Sequence, residues 1–281
     1  MIFTAIASGF KFLEAGRVDE RGRVYFSDYA RGGVHRLDGA TLDSWLPQVQ
    51  GIGGMAFNDD GRLLLSGGDG LWLFDPASGE RRPLLLEVEG KRRGFNDVEP
   101  DGAGGLYAAT IDLEAGPAGR PPRYGELIHL AADGAVTILR RGIGAANGIG
   151  IAPDGGTLYL SDTGTGIWRH ALTARTAVAD ATLIHAAPDT DGLEVDAAGN
   201  IWTACWQSGQ VTRIAARDGA VSTFPLPQGQ AMTLAFGGPD LRDLYVFGGA
   251  DITNADGPAV ASLYRARVEV AGQAQGRTSF R

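Results

Sequence analysis

The chain has 281 residues, of which 44% are hydrophobic and 21% are charged, and its formal net charge is −8 at pH 7. This composition is typical of a globular protein, and the acidic balance argues against nucleic acid or an anionic membrane as the main partner. Cys205 is the only cysteine, so an intrachain disulfide is excluded, and no apolar run approaches the length of a transmembrane helix. The apolar start, MIFTAIASGF, lacks a preceding basic region and predicts a β-strand rather than a signal peptide. We therefore expect a cytoplasmic protein.

A short motif recurs six times along the chain: a polar turn, often with Asp and Gly, is followed by apolar residues that favour β-strands. In chain order the copies are DERGRVYFSD (19–28), NDDGRLLLSG (58–67), DGAGGLYAAT (101–110), PDGGTLYLSD (153–162), DAAGNIWTAC (196–205) and GGPDLRDLYVFGG (237–249).

The spacing of these copies predicts a propeller. The second apolar residues of the six copies are Tyr25, Leu64, Tyr107, Tyr159, Trp202 and Tyr245, and successive ones are 39, 43, 52, 43 and 43 residues apart. A period of about 40–45 residues matches four short strands, which form one propeller blade. We therefore predict an all-β, six-bladed β-propeller that occupies residues 1–281 as a single domain.

Each copy divides its blade in the same way. The stretch before the turn is the inner strand, the stretch after it is the second strand, and two further strands lead to the outer edge. The initial MIFTAI can supply the outer strand of the last blade, which would close the ring and remove an exposed edge. The longest interval contains an insertion at 111–125, rich in Pro and Gly, which we expect to be a loop and a candidate lid over the axis.

Residues that could bind a metal precede four of the turns. Glu14, Asn96 and Asp191 each lie five residues before the Asp that starts the turn, and Asn147 lies six residues before Pro153. Equivalent positions of a repeat fold face the same axis, so these side chains should converge. The other two blades offer Gly53 and the Met232–Thr233 region, which are poor ligands.

Two carboxylates and two amides supply hard oxygen ligands, which suit Ca²⁺, Mg²⁺, Mn²⁺ or another divalent ion. Asn and Asp are also common turn formers and strand caps, so a structural role is the alternative for each residue taken singly. Four such residues at matched positions favour the metal. The sequence thus predicts one divalent ion on the propeller axis.

Four segments of the chain, in order, resemble the SMP-30/gluconolactonase/LRE family of regucalcin-like lactonases. They are FNDVEPDGAGGLYAAT (95–110), ANGIGIAPDGGTLYLSDT (146–163), DGLEVDAAGNIWTA (191–204) and LAFGGPDLRDLYV (234–246). The resemblance implies a six-bladed propeller with one divalent metal at its axis, Ca²⁺ in the first place, with Zn²⁺, Mn²⁺, Mg²⁺ and Fe²⁺ as alternatives.

The resemblance also implies roles for individual residues. Glu14, Asn147 and Asp191 match the family's metal ligands, and Asn96 matches a residue that contacts the substrate or the metal-bound water. Glu114 matches a substrate-contacting glutamate, with Asp112 as a nearby rival. Sugar-specific members often carry Arg directly before Phe-Asn-Asp; here Gly94 has that place and Arg93 precedes it, so Arg93 is the candidate for substrate binding.

We expect a metal-dependent hydrolase that opens a sugar lactone or a related cyclic ester by Lewis-acid activation and water attack. Asp191 is the candidate general base beside its ligand role, and Asn96 would orient water or substrate. The alternatives are hydrolysis of organophosphates with the same metal, a lyase or isomerase, and a non-catalytic, metal-stabilised binding propeller. The expected partner is a small-molecule substrate; no nucleic acid, membrane or obligate protein partner is indicated.

Overall fold

The computed structural model describes residues 1–111, 125–178, 181–250 and 257–281. In these ranges all regular secondary structure is β. The first strand is β1 (Thr4–Phe10). The next four form blade 1: β2 (Leu13–Val18), β3 (Val24–Asp28), β4 (Val34–Asp38) and β5 (Thr41–Trp45).

Blade 2 follows with β6 (Ile52–Asn58), β7 (Leu63–Gly67), β8 (Gly70–Phe74) and β9 (Arg81–Leu85). A small hairpin of β10 (Glu87–Val88) and β11 (Lys91–Arg92) leads to blade 3. Blade 3 contains β12 (Gly94–Pro100), β13 (Leu106–Ile111), β14 (Gly125–Leu130) and β15 (Val136–Ile143).

Blade 4 contains β16 (Ala146–Ile151), β17 (Thr157–Asp162), β18 (Gly166–Thr173), β19 (Ala177–Val178) and β20 (Thr182–Ala186). Blade 5 contains β21 (Thr190–Val195), β22 (Ile201–Cys205), β23 (Gln210–Ile214) and β24 (Val221–Pro225). The last elements are β25 (Gln230–Gly237), β26 (Asp243–Gly249), β27 (Ala261–Arg267) and β28 (Arg277–Thr278). The six repeats predicted from the sequence are therefore the six blades.

The ring closes as predicted. Blade 6 has the strand order β1-β27-β26-β25, and β1 is antiparallel to β27, with Thr4 opposite Arg265 and Phe10 opposite Ala261. The first strand of the chain thus completes the last blade and covers the outer edge of β27.

The inner strands β2, β6, β12, β16, β21 and β25 approach one another so closely that side chains are excluded at some positions. A Cβ atom on Gly148 would lie 2.2 Å from the backbone nitrogen of Leu193, and one on Gly192 would lie 2.4 Å from Oγ1 of Thr233. Apolar side chains fill the space between adjacent blades; Leu13 and Phe26 of blade 1, for example, pack in one cluster with Phe247 and Leu263 of blade 6. Close packing holds the inner strands at fixed positions around the axis.

A C-terminal strap, residues 271–281, was not predicted from the sequence. It runs along the turn ends of the inner strands: Gly272 bridges to Asp196, the Gln273 side chain donates to the carbonyls of Ile151 and Val195, and β28 pairs in parallel with β6. The strap therefore lies at one end of the axis, which we call the base. The beginnings of the inner strands lie at the opposite end.

Candidate metal centre

Every inner strand is irregular near its beginning. Its pairing with the second strand slips there, as in a β-bulge, in each of the six blades; the slips fall between Glu14 and Arg17, Ile52 and Gly54, Phe95 and Val98, Ala146 and Ile149, Thr190 and Leu193, and Ala231 and Thr233. Bulges turn side chains away from the regular alternation and are common beside active sites. Glu14 borders its slip, and Asn96, Asn147 and Asp191 lie within theirs, so the structure places all four predicted residues at equivalent points around the axis.

Hydrogen bonds orient the two amides. Asn96 Nδ2 donates to Oδ1 of Asn147 at 2.9 Å and to the carbonyl of Ala146 at 3.2 Å. Asn147 Nδ2 donates to Oγ1 of Thr163 at 3.2 Å, and that hydroxyl donates to the carbonyl of Thr190 at 2.6 Å. The amide nitrogens are thus engaged with the protein. Oδ1 of Asn147 already accepts one hydrogen bond, and each amide oxygen retains a lone pair that could bind a metal.

The two acids are buried. Glu14 is 8% exposed and Asp191 is 4% exposed, and Oδ1 of Asp191 has no hydrogen-bond partner among the described residues. Burial raises the pKa of Asp191 well above its usual range, and the charge of Asp97 raises it further. Burial likewise raises the pKa of Glu14, followed by the charges of Asp191 and Asp97. A buried carboxylate oxygen without a partner is costly, and a bound cation would remove that cost.

The donor set fits a hard divalent ion. In the described parts of the chain, no group of three or more Asp, Glu, His or Cys side chains is placed to hold a metal. The candidate set instead combines two carboxylates, Glu14 and Asp191, with the amide oxygens of Asn96 and Asn147. Such all-oxygen sets are typical of Ca²⁺ and related ions, and two negative charges balance a dication.

The backbone at this centre is strained in blade 1. Ala15, directly after Glu14, has φ of 57°, a left-handed conformation that is unfavourable for a residue with a Cβ atom. The unusual conformation lies within the slip that follows Glu14. It therefore forms part of the local geometry that sets the direction of that carboxylate.

The family model of the SMP-30/gluconolactonase/LRE-like region matches residues 14–249 of this chain. The chain belongs to this family. A pentonolactonase (XacC) of Haloferax volcanii is 32% identical over 278 residues, a match that covers 94% of this chain and 92% of that protein. A 6-deoxy-6-sulfogluconolactonase of Pseudomonas putida is 27% identical, with 90% of this chain and 89% of that protein covered.

Among solved structures, a regucalcin from Agrobacterium tumefaciens, described as a calcium-binding protein, superposes with a TM-score of 0.84. It is 26% identical, and the match covers 99% of this chain and 98% of that one. The family and the six-bladed fold predicted from the sequence are thus confirmed. No helix in the described ranges is both long and apolar enough to cross a membrane.

Two residues near the centre were missed by the sequence reasoning. Burial, followed by the charges of Glu14 and Asp191, raises the pKa of Tyr29, which directly follows β3 and lies within electrostatic range of both acids. Asp97 acts electrostatically on both acids, and its Oδ1 accepts the backbone N–H of Val98 at 2.8 Å. Asp97 follows Asn96 directly, and the bulge, which breaks strand alternation, is what brings both residues towards the axis.

The structure places Arg93 directly before β12, where its Nε lies 3.4 Å from Oε2 of Glu126. Glu126 belongs to β14, the third strand of the blade, so the ion pair joins Arg93 to that strand. Arg141 also pairs with Glu126. Glu114, Asp112 and most of the candidate lid at 111–125 lie outside the described residues.

Proposed function

We propose that the chain is a metal-dependent lactonase that hydrolyses a sugar lactone or a related cyclic ester. The observation that carries this proposal is the partnerless, buried Oδ1 of Asp191 beside Glu14 at the axial bulges. The names of the relatives support the reaction class, since two of them are lactonases of sugar acids. The likeness to a calcium-binding regucalcin and the all-oxygen donor set support Ca²⁺ as the first candidate ion.

Glu14, Asn147 and Asp191 would hold the ion, with Asn96 as a fourth ligand or a contact to the substrate. When bound, the ion supplies Lewis-acid polarisation of the lactone carbonyl and stabilises the charge that develops on its oxygen. Side chains of this protein would accept and return the proton and orient the water or the substrate.

Asp191 is the proposed general base, because its Oδ1 accepts no hydrogen bond from the part of the chain that the structure describes and can take a proton from the attacking water. The water oxygen bonds to the carbonyl carbon, the ring C–O bond breaks, and protonated Asp191 returns the proton taken from water to the ring oxygen, which leaves as an alcohol. Asn96 is held by Asn147 and Ala146, so its amide is fixed for orienting the water or the substrate.

A protein nucleophile is not needed, since a lactone is an ester that water can open. Burial raises the pKa of the Cys205 thiol to about 11, so this cysteine stays protonated near neutral pH and is a poor nucleophile. Arg93, which would have to reach the substrate while paired with Glu126, and Glu114 remain the proposed substrate contacts, and one domain in the cytoplasm remains the proposed organisation.

The test is a pH-indicator assay of lactone hydrolysis by chelator-stripped protein. Ca²⁺, Mg²⁺, Mn²⁺, Zn²⁺ and Fe²⁺ are added back singly to a panel of sugar lactones, and aryl phosphotriesters form a second panel. Turnover of lactones that is abolished by chelation and restored by an ion supports the proposal and identifies the ion.

Three outcomes contradict it. Turnover confined to phosphotriesters would favour the organophosphate alternative. Metal binding without turnover on either panel would favour a lyase, an isomerase or a metal-stabilised binding propeller. Lactone turnover that persists in chelated protein would remove the metal from the reaction.

A further inference from the structure

Arg17 lies at the centre of the ring, between the candidate metal centre and the base. It is on β2, three residues after Glu14, and is 6% exposed. Its Nε donates to the carbonyl of Met55 on β6 at 2.7 Å, and its Nη2 donates to the carbonyl of Val98 on β12 at 2.5 Å. A third donor, Nη1, reaches the carbonyl of Gly16 at 3.3 Å.

The same guanidinium lies among three carboxylates. Its Nη2 is 3.2 Å from Oε2 of Glu99 and 4.0 Å from Oδ1 of Asp97, and its Nη1 is 3.6 Å from Oε1 of Glu194. Glu194 belongs to β21 of blade 5, which is not a neighbour of blade 1. A side chain of blade 1 that contacts blades 2, 3 and 5 must cross the axis.

We propose that Arg17 is the positioning residue of the metal centre, an inference that rests on the proposed function. Three strands with candidate ligands meet at its guanidinium: β2 carries Glu14, β12 carries Asn96, and β21 carries Asp191. Val98 lies two residues beyond Asn96, and Glu194 lies three residues beyond Asp191. At about 3.3 Å per residue these contacts lie roughly 7–10 Å along the same strands from the ligands, towards the base.

These contacts hold the three strands in a fixed position relative to one another along the axis. A strand that shifted along the axis would break its bond to Arg17 and move its ligand by the same distance. Because ligand separations in a metal site tolerate only small errors, such a tether acts directly on metal affinity.

The chemistry requires arginine rather than another cation. The planar guanidinium has five N–H donors in a rigid fork, which serve two carbonyls on different blades and several carboxylates at once. Lysine would keep the charge but would offer one compact ammonium group that cannot reach the same partners in fixed directions. Comparison of arginine and lysine at position 17 therefore distinguishes the effect of the fixed hydrogen bonds from the effect of the positive charge.

The experiment compares Arg17→Met and Arg17→Lys with wild type in their affinity for Ca²⁺, measured by chelator competition or calorimetry on stripped protein. We expect both variants to bind the ion at least about tenfold more weakly, the range seen when residues that orient metal ligands are replaced. Thermal unfolding of the chelated proteins verifies that each variant is folded, and lactone kinetics at saturating ion then separate kcat from KM. The matched control is Arg267→Met, since the Arg267 side chain, at the end of β27, is 56% exposed and pairs with Asp240 and Asp243.

Several results would overturn the inference. A folded Arg17→Met protein with a lower melting temperature but unchanged Ca²⁺ affinity would give Arg17 a structural role only. Wild-type Ca²⁺ affinity in Arg17→Lys would show that the charge of Arg17, and not its hydrogen bonds, supports the metal centre. If Arg17→Met does not fold, the Ca²⁺ affinity of Arg17→Lys decides by itself: weakened affinity supports the inference and unchanged affinity contradicts it. A wild-type protein that binds none of the ions would overturn this inference together with the metal in the proposed function, whereas wild-type binding without lactone turnover would leave it standing.

Discussion

Asn96 and Asn147 are joined across the gap between blades 3 and 4, with Nδ2 of Asn96 donating to Oδ1 of Asn147 at 2.9 Å. The bond connects two residues that lie in equivalent bulges of neighbouring inner strands. Because Thr163 holds the other end of the Asn147 amide, the two side chains orient each other. A shift of either amide would change the geometry at the candidate centre without removing a single oxygen donor.

Gly53 offers a way to make that shift. A Cβ atom at this position would lie 2.3 Å from Oδ1 of Asn96, well inside van der Waals contact. We therefore expect Gly53→Ala to displace the Asn96 amide, to weaken its bond to Asn147 and to lower lactone kcat/KM by about tenfold or more, as misplacement of catalytic groups commonly does. Steady-state kinetics with the restored ion measure the effect.

The control for this prediction is Gly156→Ala, where the atoms nearest to an added Cβ belong to Asp154 and lie 3.5 Å or more away. Circular dichroism and thermal unfolding of both variants separate displacement at the centre from loss of the fold. Wild-type kinetics in a folded Gly53→Ala protein would show that the position of Asn96 does not matter to the reaction.

Replacement of the two buried acids by their amides should have opposite effects on stability and on activity. Their pKa values are raised in the folded protein, so ionisation near neutral pH costs stability, and this cost grows as pH rises above the unfolded values near 4. We expect Asp191→Asn and Glu14→Gln to unfold at higher temperature than wild type when all are chelated, at about pH 8. Loss of the base in Asp191→Asn should lower kcat by about 10²–10⁴-fold.

Asp196→Asn is the matched comparison, because this buried carboxylate accepts hydrogen bonds from Ala198, Asn200 and Trp202. Its replacement should destabilise the protein by about 1.5–3 kcal/mol, the usual range for hydrogen bonds to a charged group. If Asp191→Asn destabilises the chelated protein as much as Asp196→Asn does, then Asp191 stabilises the fold and the costly-carboxylate interpretation fails.

His170 predicts an acid limb in the stability profile. It is fully buried on β18, and its Nε2 lies 3.1 Å from Nη1 of Arg140, which donates to it. Burial, followed by the charge of Arg140, lowers the pKa of His170 to about 4. The unfolded chain takes up the proton near pH 6.5 and the folded chain only near 4, so stability is lost as pH falls between these values, by up to about 3 kcal/mol.

Urea unfolding at a series of pH values tests this. The difference in unfolding free energy between wild type and His170→Gln should be constant above about pH 7 and should shrink as pH falls towards 4. His185, partly exposed on β20, also has its pKa lowered by burial, so His185→Gln is the comparison and should remove a smaller part of the acid limb than His170→Gln does. Parallel profiles for wild type and His170→Gln would assign the limb to other groups.

The repeat predicted the four axial residues from their distance to the next turn, because each inner strand begins in a bulge and ends in that turn. Arg17 could not be predicted in this way. It shares a strand with Glu14, and its role depends on the backbone carbonyls of Met55 and Val98. A backbone carbonyl is present whatever the residue type, so the sequence carries no signal for these contacts. Asp97 was missed because alternation along a strand places neighbours on opposite faces, and only the bulge brings Asn96 and Asp97 to one side.

The C-terminal strap was missed for a different reason. Residues 271–281 carry no copy of the repeat, and their contacts lie with residues far away in the chain. The side chain of Asn58 connects to the backbone of Phe280 in both directions, with Nδ2 donating to its carbonyl at 2.9 Å and Oδ1 accepting its N–H at 3.0 Å. Such pairing has no local signal in the sequence.

Phe280 itself provides the last prediction. It is 2% exposed and packs in one cluster with Leu64 of blade 2 and Val98 and Leu106 of blade 3. Removal of a buried aromatic ring leaves a cavity, so Phe280→Ala should lower the free energy of unfolding by about 3–5 kcal/mol. Arg281→Ala, at the exposed neighbouring position, should change the free energy of unfolding by less than about 0.5 kcal/mol.

Since the strap lies at the base and the candidate centre at the opposite end, Phe280→Ala should keep its lactone kcat and KM below its unfolding temperature. A variant that stays as stable as wild type would show that the strap is not part of the cooperative fold.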